Sequence, residues 1–398
     1  MTKRALLLAY GCEPGKGSEQ GTGWAWARMI ARQGDVWVIT RANNQSVIES
    51  ALPEVPERDR LTFIYVDLPA WARFWKRGQR GVRLYYLLWQ GAALIRSRKL
   101  HRELNFDSVW HVTLSTAWLG SVGGWIGPPL VLGPLGGGVP MPWKLAGIVG
   151  VRGALYEIVR SVARFLGRNL NPLARLSWRK AALILVQNEE TRRWLPRRYQ
   201  DKMRIFPHVA LYDTPVIERD AGPDSQVAIF AGRLLAWKGT YLAIEAVASR
   251  PSWKLLVCGS GSQEERLKQL TVHLGVEDRV TFLGWTARTE LERRMREEAS
   301  VLLFPSLHDD AGWIVPEAMA CGLPVICIDR GGPPLLVGSA GLVASSAGSA
   351  SDVIARLARL LDAEFPNGPA VARQADSWTL EQRAQDLEAL VHPVLEVS

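Results

Sequence analysis

The chain has 398 residues but only four cysteines, Cys12, Cys258, Cys321 and Cys327. They form no C-x-x-C pair and no dense framework, which excludes a disulfide scaffold and fits a reduced, cytoplasmic setting. A Gly-x-Gly-x-x-Gly turn beside the first strand is also lacking, because Gly17-Ser-Glu-Gln-Gly21 has the wrong spacing. Without that turn and an acidic residue about 20 positions further on, a two-domain dinucleotide oxidoreductase is disfavoured. None of the six histidines stands at ligand spacing from a cysteine or carboxylate, so neither a metal site nor a cofactor is expected. Long uninterrupted apolar runs are absent as well. No charge falls between His111 and Lys144, yet Gly127-Pro-Pro, Gly133-Pro and Gly136–Gly138 break that stretch. A lipid-exposed helix cannot satisfy its backbone through so many breaks. The apolar run before Gly11 is too short for a signal peptide and has no small-residue cleavage pattern, so it reads as a buried strand.

What the sequence has in excess is positive charge and tryptophan: a net charge of +9 and 17 Trp. The balance favours anionic partners. Residues 71–102 interleave Trp71, Phe74, Trp75, Tyr85, Tyr86 and Trp89 with basic side chains that include Arg73, Lys76, Arg77, Arg80, Arg83, Arg96, Arg98 and Lys99. Aromatic anchors among basic residues suit a bilayer surface with acidic lipids. The alternative is a pair of solvated helices with a buried aromatic face. No nucleic-acid module is recognisable, and no nucleic-acid partner is expected.

Short apolar runs alternate with helical patterns along the chain. In the first half the runs are Leu6–Tyr10, Val36–Thr40, Leu61–Val66, Ser108–Val112, Leu130–Leu132 and Leu183–Val186. A polar, Pro- and Gly-containing stretch, Leu211–Gln226, reads as a linker. A second series follows at Val227–Ala231, Lys254–Cys258, Arg279–Leu283, Val301–Phe304 and Pro324–Ile328. The β–α alternation predicts parallel, doubly wound sheets. The expected architecture is α/β, with Rossmann-like domains at 1–210 and 226–376 facing across a cleft.

The densest chemical signal is Phe230-Ala-Gly-Arg-Leu-Leu-Ala-Trp-Lys-Gly-Thr240, directly after a predicted strand. Gly232 permits a sharp turn, and Arg233 and Lys238 then flank a helix start. Two cations beside unpaired backbone N–H groups make a diphosphate site. Gly259 and Gly261 form a second turn after a strand. In Phe304-Pro-Ser-Leu-His-Asp-Asp-Ala-Gly-Trp-Ile-Val-Pro-Glu317, the carboxylates Asp309 and Glu317 lie eight positions apart around a glycine-containing loop. The N–H groups between Ala311 and Ile314, over Gly312 and Trp313, can approach a sugar or phosphate. A carboxylate at Glu317 can accept from paired ribose hydroxyls, as acidic residues do in other nucleotide folds.

In these two blocks the chain resembles glycosyltransferase family 4, the retaining enzymes of the GT-B fold. The resemblance spans most of the sequence and is strongest from Gly232 to Pro334. It implies that Arg233 and Lys238 hold the diphosphate of a nucleotide-sugar donor, that Glu317 contacts the ribose, and that Asp309 sits at the donor sugar. It places the base near Gly284-Trp285, and a last helix, 377–398, back on the first domain. Most of the family has Glu-Gly-Phe-Gly where this chain has Asp309-Asp310-Ala311-Gly312; a subgroup has His-Asp-x-Gly-Gly. Transferases of the other major fold hold the diphosphate through a metal bound to Asp-x-Asp, which does not occur here. Two side-chain cations replace it, so metal-independent transfer is expected.

In the first half, Gly17 and Ser18 lie after the first strand, where ligands bind in such sheets, and Ser18 is placed to cap the following helix. His111 ends a strand at the same edge. A lone histidine there is more often structural, but the resemblance places a histidine at this strand end against the donor sugar, without a general-base role. Gly136 and Gly137 are expected on the acceptor side, with Pro140–Trp143 as an apolar lip. The lip and the basic aromatic stretch suggest a saccharide or polyprenyl-linked acceptor and an enzyme peripheral to the inner face of a membrane, in cell-surface polysaccharide or glycoconjugate synthesis. Competing readings are a nucleotide-sugar epimerase of the same fold and a catalytically dead membrane-surface binding protein.

Overall fold

A computed structural model describes residues 3–69, 72, 81–212, 214–219 and 226–395. The first seven strands are β1 (Lys3–Leu8), β2 (Gly34–Thr40), β3 (Leu61–Tyr65), β4 (Ser108–His111), β5 (Leu130–Leu135), β6 (Ala181–Val186) and β7 (Met203–Ile205). They form one sheet in the order β3-β2-β1-β4-β5-β6-β7, parallel throughout. The second sheet is built from β8 (Val227–Ala231), β9 (Lys254–Cys258), β10 (Val280–Gly284), β11 (Val301–Phe304), β12 (Val325–Ile328) and β13 (Gly341–Ala344). Its order is β10-β9-β8-β11-β12-β13, again parallel. Every residue of β4, β5, β11 and β12 is buried. Strands covered on both faces favour apolar side chains at successive positions, which explains the unbroken hydrophobic runs of β11 and β12. Strands β7 and β13 escape sequence reading because they are short, lie at sheet edges and carry polar or small residues.

The described residues fall into two compact units: Met1–Gly138 with Arg164–Tyr212 and Leu380–Ser398, and Val139–Ala163 with Asp213–Thr379. This corrects the expected first domain, because 139–163 belongs to the second unit. The reason is a set of specific contacts. His308 Nε2 and Glu157 Oε1 lie 2.8 Å apart, Tyr156 stacks on Trp237 at 5.4 Å, and Arg330 donates to the Pro140 carbonyl at 2.6 Å. The described part of the expected linker is held too: the Ile217 N–H donates to Ala320 O, and Arg219 to Ala299 O.

Of the basic aromatic stretch, Trp71 and residues 73–80 lie outside the described residues. The helix Val82–Leu104 turns Tyr85, Tyr86 and Trp89 into the core of the first unit. Tyr10 meets Tyr86 and Trp89 edge to face at 5.3 and 5.2 Å. These three aromatics are therefore core side chains, not bilayer anchors. Burying an aromatic side chain removes 150–250 Å² from water, more than an interfacial position recovers. Ser18 does not cap its helix; the helix starts at Ser18 itself and Gly17 takes the cap position.

The helix Leu380–Leu395 packs in the first unit through a buried arginine. Arg383 lies 3.5 Å over the Phe206 ring and donates to the Pro207 carbonyl at 3.0 Å. Burial lowers its pKa to about 10. Replacing Arg383 by Ala strands that carbonyl and empties the space over Phe206, which should cost about 2–4 kcal/mol of unfolding free energy. Urea unfolding followed by far-UV circular dichroism measures it.

Candidate active site

The chemistry-bearing loops of the second unit gather at the carboxyl ends of β8, β9 and β11. The turn after β8 carries Arg233 and Lys238, and Gly239 then enters the helix Thr240–Ala248 at φ 77°. A Cβ on Gly239 would stand 2.0 Å from the Pro305 carbonyl oxygen. That close approach brings the turn beside the loop after β11. There the Lys238 ammonium is ion-paired with the Asp309 carboxylate, and both side chains are largely buried. The same ammonium sits 5.3 Å over the Phe304 ring. Arg233 is exposed and has no ion-pair partner among the described residues. Gly259 approaches the Gly232 carbonyl so closely that a Cβ would stand 1.9 Å away.

Trp237 and His308, neighbours in sequence of Lys238 and Asp309, stack at 5.2 Å. Tyr156 also stacks on Trp237, and Glu157 bonds to His308. Arg160 pairs with Glu157 at 3.0 Å, and His308 and Arg160 together hold the buried Glu157 carboxyl below its ordinary range. Sequence reading missed Tyr156, Glu157, Trp237 and His308. The available signal was adjacency: each of Trp237 and His308 precedes a charged site residue. Glu157 and Tyr156 lie about 150 and 80 positions from their partners, and no local pattern links them.

Glu317 lies in the first turn of the helix Ile314–Ala320. Its side chain makes no hydrogen bond among the described residues, and burial pushes its carboxyl up to about 7, with Arg288 opposing and Glu292 reinforcing the rise. Trp313 and Ile314 open this helix, and Gly312 lies against Phe304. Trp285, after β10, is 80% exposed. Thus Gly232, Lys238 and Gly312 meet on one ring, Phe304, and Asp309 is joined to them through Lys238.

The remaining candidates belong to the first unit or its borders. His111 is buried at 2% exposure, and both ring nitrogens are engaged. Nδ1 is 2.6 Å from Ser121 Oγ, and Nε2 is 2.6 Å from the Tyr86 hydroxyl and 3.2 Å from Thr113 O. Burial lowers its pKa to about 4, so the ring is neutral at physiological pH. This is the environment of a structural histidine. Gly17 is exposed at the carboxyl end of β1. Gly136 pairs with Thr116, and Gly137 stands at φ 83° beside Trp118. Of the apolar lip, Met141 is buried and Trp143 is half exposed.

Residues 217–375 match the family model described as glycosyl transferases group 1. That region covers all four charged candidates of the second unit. This part of the chain is thus similar to group 1 glycosyl transferases, and the two parallel α/β units have the GT-B fold. Among similar proteins is the D-inositol 3-phosphate glycosyltransferase of Mycobacterium marinum, 36% identical over 120 residues, covering 29% of this chain and 26% of that protein. An uncharacterized glycosyltransferase of Methanocaldococcus jannaschii is 35% identical over 112 residues, covering 27% of this chain and 28% of that protein. The chain thus spans about a quarter of the length of these curated relatives. Similar solved structures include an Anabaena protein in complex with UDP, with TM-score 0.62, 16% identity, and coverage of 98% of this chain and 100% of that one. Sucrose-phosphate synthase from Thermosynechococcus elongatus has TM-score 0.65, 18% identity and full coverage of both chains. At these identities the likeness shows the fold.

The Glu317 carboxyl gives a test of the site. Its folded pKa of about 7 exceeds the ordinary value of 4.5, so the folded state keeps the proton to higher pH than the unfolded chain does. Stability from this group is complete below about pH 4.5 and is lost as pH rises to about 7, by up to about 3 kcal/mol. Glu317→Gln should therefore raise the denaturation midpoint at pH 8 and leave it unchanged at pH 4.5, as read by guanidinium unfolding at the two pH values.

Proposed function

We propose that the chain is a retaining glycosyltransferase of family 4 that moves a sugar from a nucleoside-diphosphate sugar to a saccharide or lipid-linked acceptor. The observation that carries this reading is the meeting of Lys238 and Asp309 over Phe304, beside the unpaired Arg233. Lys238 and Arg233 face the donor diphosphate, and Glu317 accepts from the ribose hydroxyls, which supply the partners it lacks. Hydrogen bonds to its charged form would draw its proton off. Asp309 touches the donor sugar and holds Lys238 in place. Gly232, Gly259, Gly261, Gly312, Trp313 and Ile314 let backbone approach the donor. The exposed Trp285 offers its ring to the base.

As the glycosidic bond breaks, negative charge builds on the departing diphosphate, and a fixed ammonium partly shielded from water stabilises it where it forms. In this reading two side-chain cations do this work and no metal is required. His111 is neutral and holds its strand end in position, while Gly17, Ser18, Gly136 and Gly137 shape the first unit's edge for the donor and acceptor. The Anabaena protein has also been solved with UDP-glucose, which supports a uridine nucleotide as the first donor to try. A cytoplasmic enzyme working at the inner face of a membrane, in surface polysaccharide or glycoconjugate synthesis, fits a net charge of +9 and described helices of which none is long and apolar enough to cross a membrane.

A thermal-shift screen of UDP-, GDP- and ADP-sugars tests the donor class: one nucleotide should raise Tm by several degrees, and no shift with any of them overturns the reading. With the donor identified, Lys238→Ala should lower kcat/KM by about 10²–10³-fold, the usual loss for one electrostatic contact to a developing anion. Near-normal turnover in that variant removes Lys238 from the diphosphate site. Full activity in EDTA is expected, and its loss would refute the metal-free mechanism.

A further inference from the structure

Two consecutive helix residues each reach the neighbour of one member of the Lys238–Asp309 pair. Tyr156 and Glu157 lie on the helix Ala146–Leu170, in the part that packs within the second unit. Tyr156 stacks on Trp237, the residue before Lys238, at 5.4 Å with the ring planes 10° apart. Glu157 hydrogen-bonds to Nε2 of His308, the residue before Asp309, at 2.8 Å. Trp237 and His308 in turn stack on each other at 5.2 Å. The Trp237 carbonyl also accepts from the Leu307 N–H at 2.8 Å and from the Ser306 hydroxyl at 3.2 Å. One turn earlier on the helix stands Gly153, where a Cβ would meet the Ala236 Cβ at 3.4 Å. Gly153, Tyr156 and Glu157 follow the i, i+3, i+4 spacing of one helix face. That face lies against the turn Ala236–Lys238 and the loop after β11.

The chemistry of this contact is not that of ordinary packing. Glu157 is 1% exposed, and two groups engage its carboxylate: His308, itself buried, and Arg160 at 3.0 Å. Arg160 is tied in turn to the Val139 carbonyl at 2.7 Å. A buried carboxylate loses its hydration and is compensated only by partners at fixed distance and direction. Apolar side chains commonly stabilise such a contact at least as well, but they leave its register loose. Lys238 needs a fixed register. Its ammonium ends a flexible four-carbon stem, so pairing with Asp309 places it only as well as the two loops are themselves placed. Trp237 and His308 are the points at which those loops are held, and Tyr156 and Glu157 hold them.

We propose that Tyr156 and Glu157 are positioning residues: by fixing Trp237 and His308 they hold the Lys238 ammonium and the Asp309 carboxylate in the arrangement that receives the donor diphosphate. This role rests on the reading of that pair as the donor site, and one arm of its test needs no donor. Acetic anhydride acetylates accessible lysines, and peptide mass spectrometry of the full chain reads Lys238 against the exposed Lys254. Tyr156→Ala and Glu157→Ala should each raise the relative rate at Lys238 at least about threefold by loosening its ion pair. Tyr156→Phe, which keeps the ring, should leave that rate unaltered. With the nucleotide sugar that the thermal-shift screen identifies, both Ala variants should lower kcat at least about tenfold while the donor KM changes less than about twofold. The split arises because lost alignment matters most as charge builds on the leaving diphosphate. In chains already carrying Lys238→Ala, Glu157→Ala should add no further loss of kcat, since its effect runs through that ammonium. A merely structural role predicts the same loss in both backgrounds. Tyr156 is half exposed, so Tyr156→Ala carries the test if Glu157→Ala does not fold. Unchanged acetylation of Lys238 in the Ala variants, or an additive loss in the doubly substituted chain, overturns the proposal. Near-normal turnover of Lys238→Ala alone removes the donor-site reading instead, and the acetylation arm then still decides whether the two residues hold the pair.

Discussion

Gly239 brings the turn after β8 against the Pro305 carbonyl, and the candidate site follows from that approach. With any side chain there, Lys238 could not reach Asp309 without moving one of two loops. The backbone contact is thus a distance constraint that converts two separate strand ends into one charged pair. Phe304 supplies the platform beneath it, buried at 1% exposure, stacked on Phe230 and touched by the Lys238 ammonium. An ammonium held between a carboxylate and an aromatic face needs no rearrangement when a further anion arrives. That is the economy of a preorganised electrostatic site.

Around this pair the protein leaves polar groups in costly states. Glu317 is a carboxyl pushed up to about 7 by burial, and Arg233 stands without an ion-pair partner among the described residues. Each is unfavourable or neutral for the free protein, and in the proposed reading it becomes favourable once hydroxyls and phosphates supply partners. By contrast His111 has both nitrogens satisfied, and its neutral ring serves the packing of the first unit. Unsatisfied against satisfied polar groups is therefore the physical criterion that separates candidate binding residues from structural ones here.

Much of the fold was legible because burial on both faces forces continuous apolar runs. Strands β8, β9 and β11 match their expected bounds residue for residue. The candidate site was legible where it is local: Arg233, Lys238, Asp309 and Glu317 lie in two short blocks with glycines at the turns. It was illegible where it is assembled over distance. Nothing in the spacing of Glu157 and His308 hints at their bond, and nothing in residues 71–102 distinguishes a buried aromatic from an interfacial one. Tyr85, Tyr86 and Trp89 carry the same helical period either way.

The sequence by itself determined the alternation of strands and helices, the glycine turns and the charged residues beside them, because each depends on neighbours within about ten positions. Only the tertiary structure decided that Lys238 and Asp309 neutralise each other, and that 139–163 packs with the second unit. These outcomes depend on which surfaces remain uncovered after packing. Packing is a property of the whole chain, fixed by contacts between residues far apart in sequence.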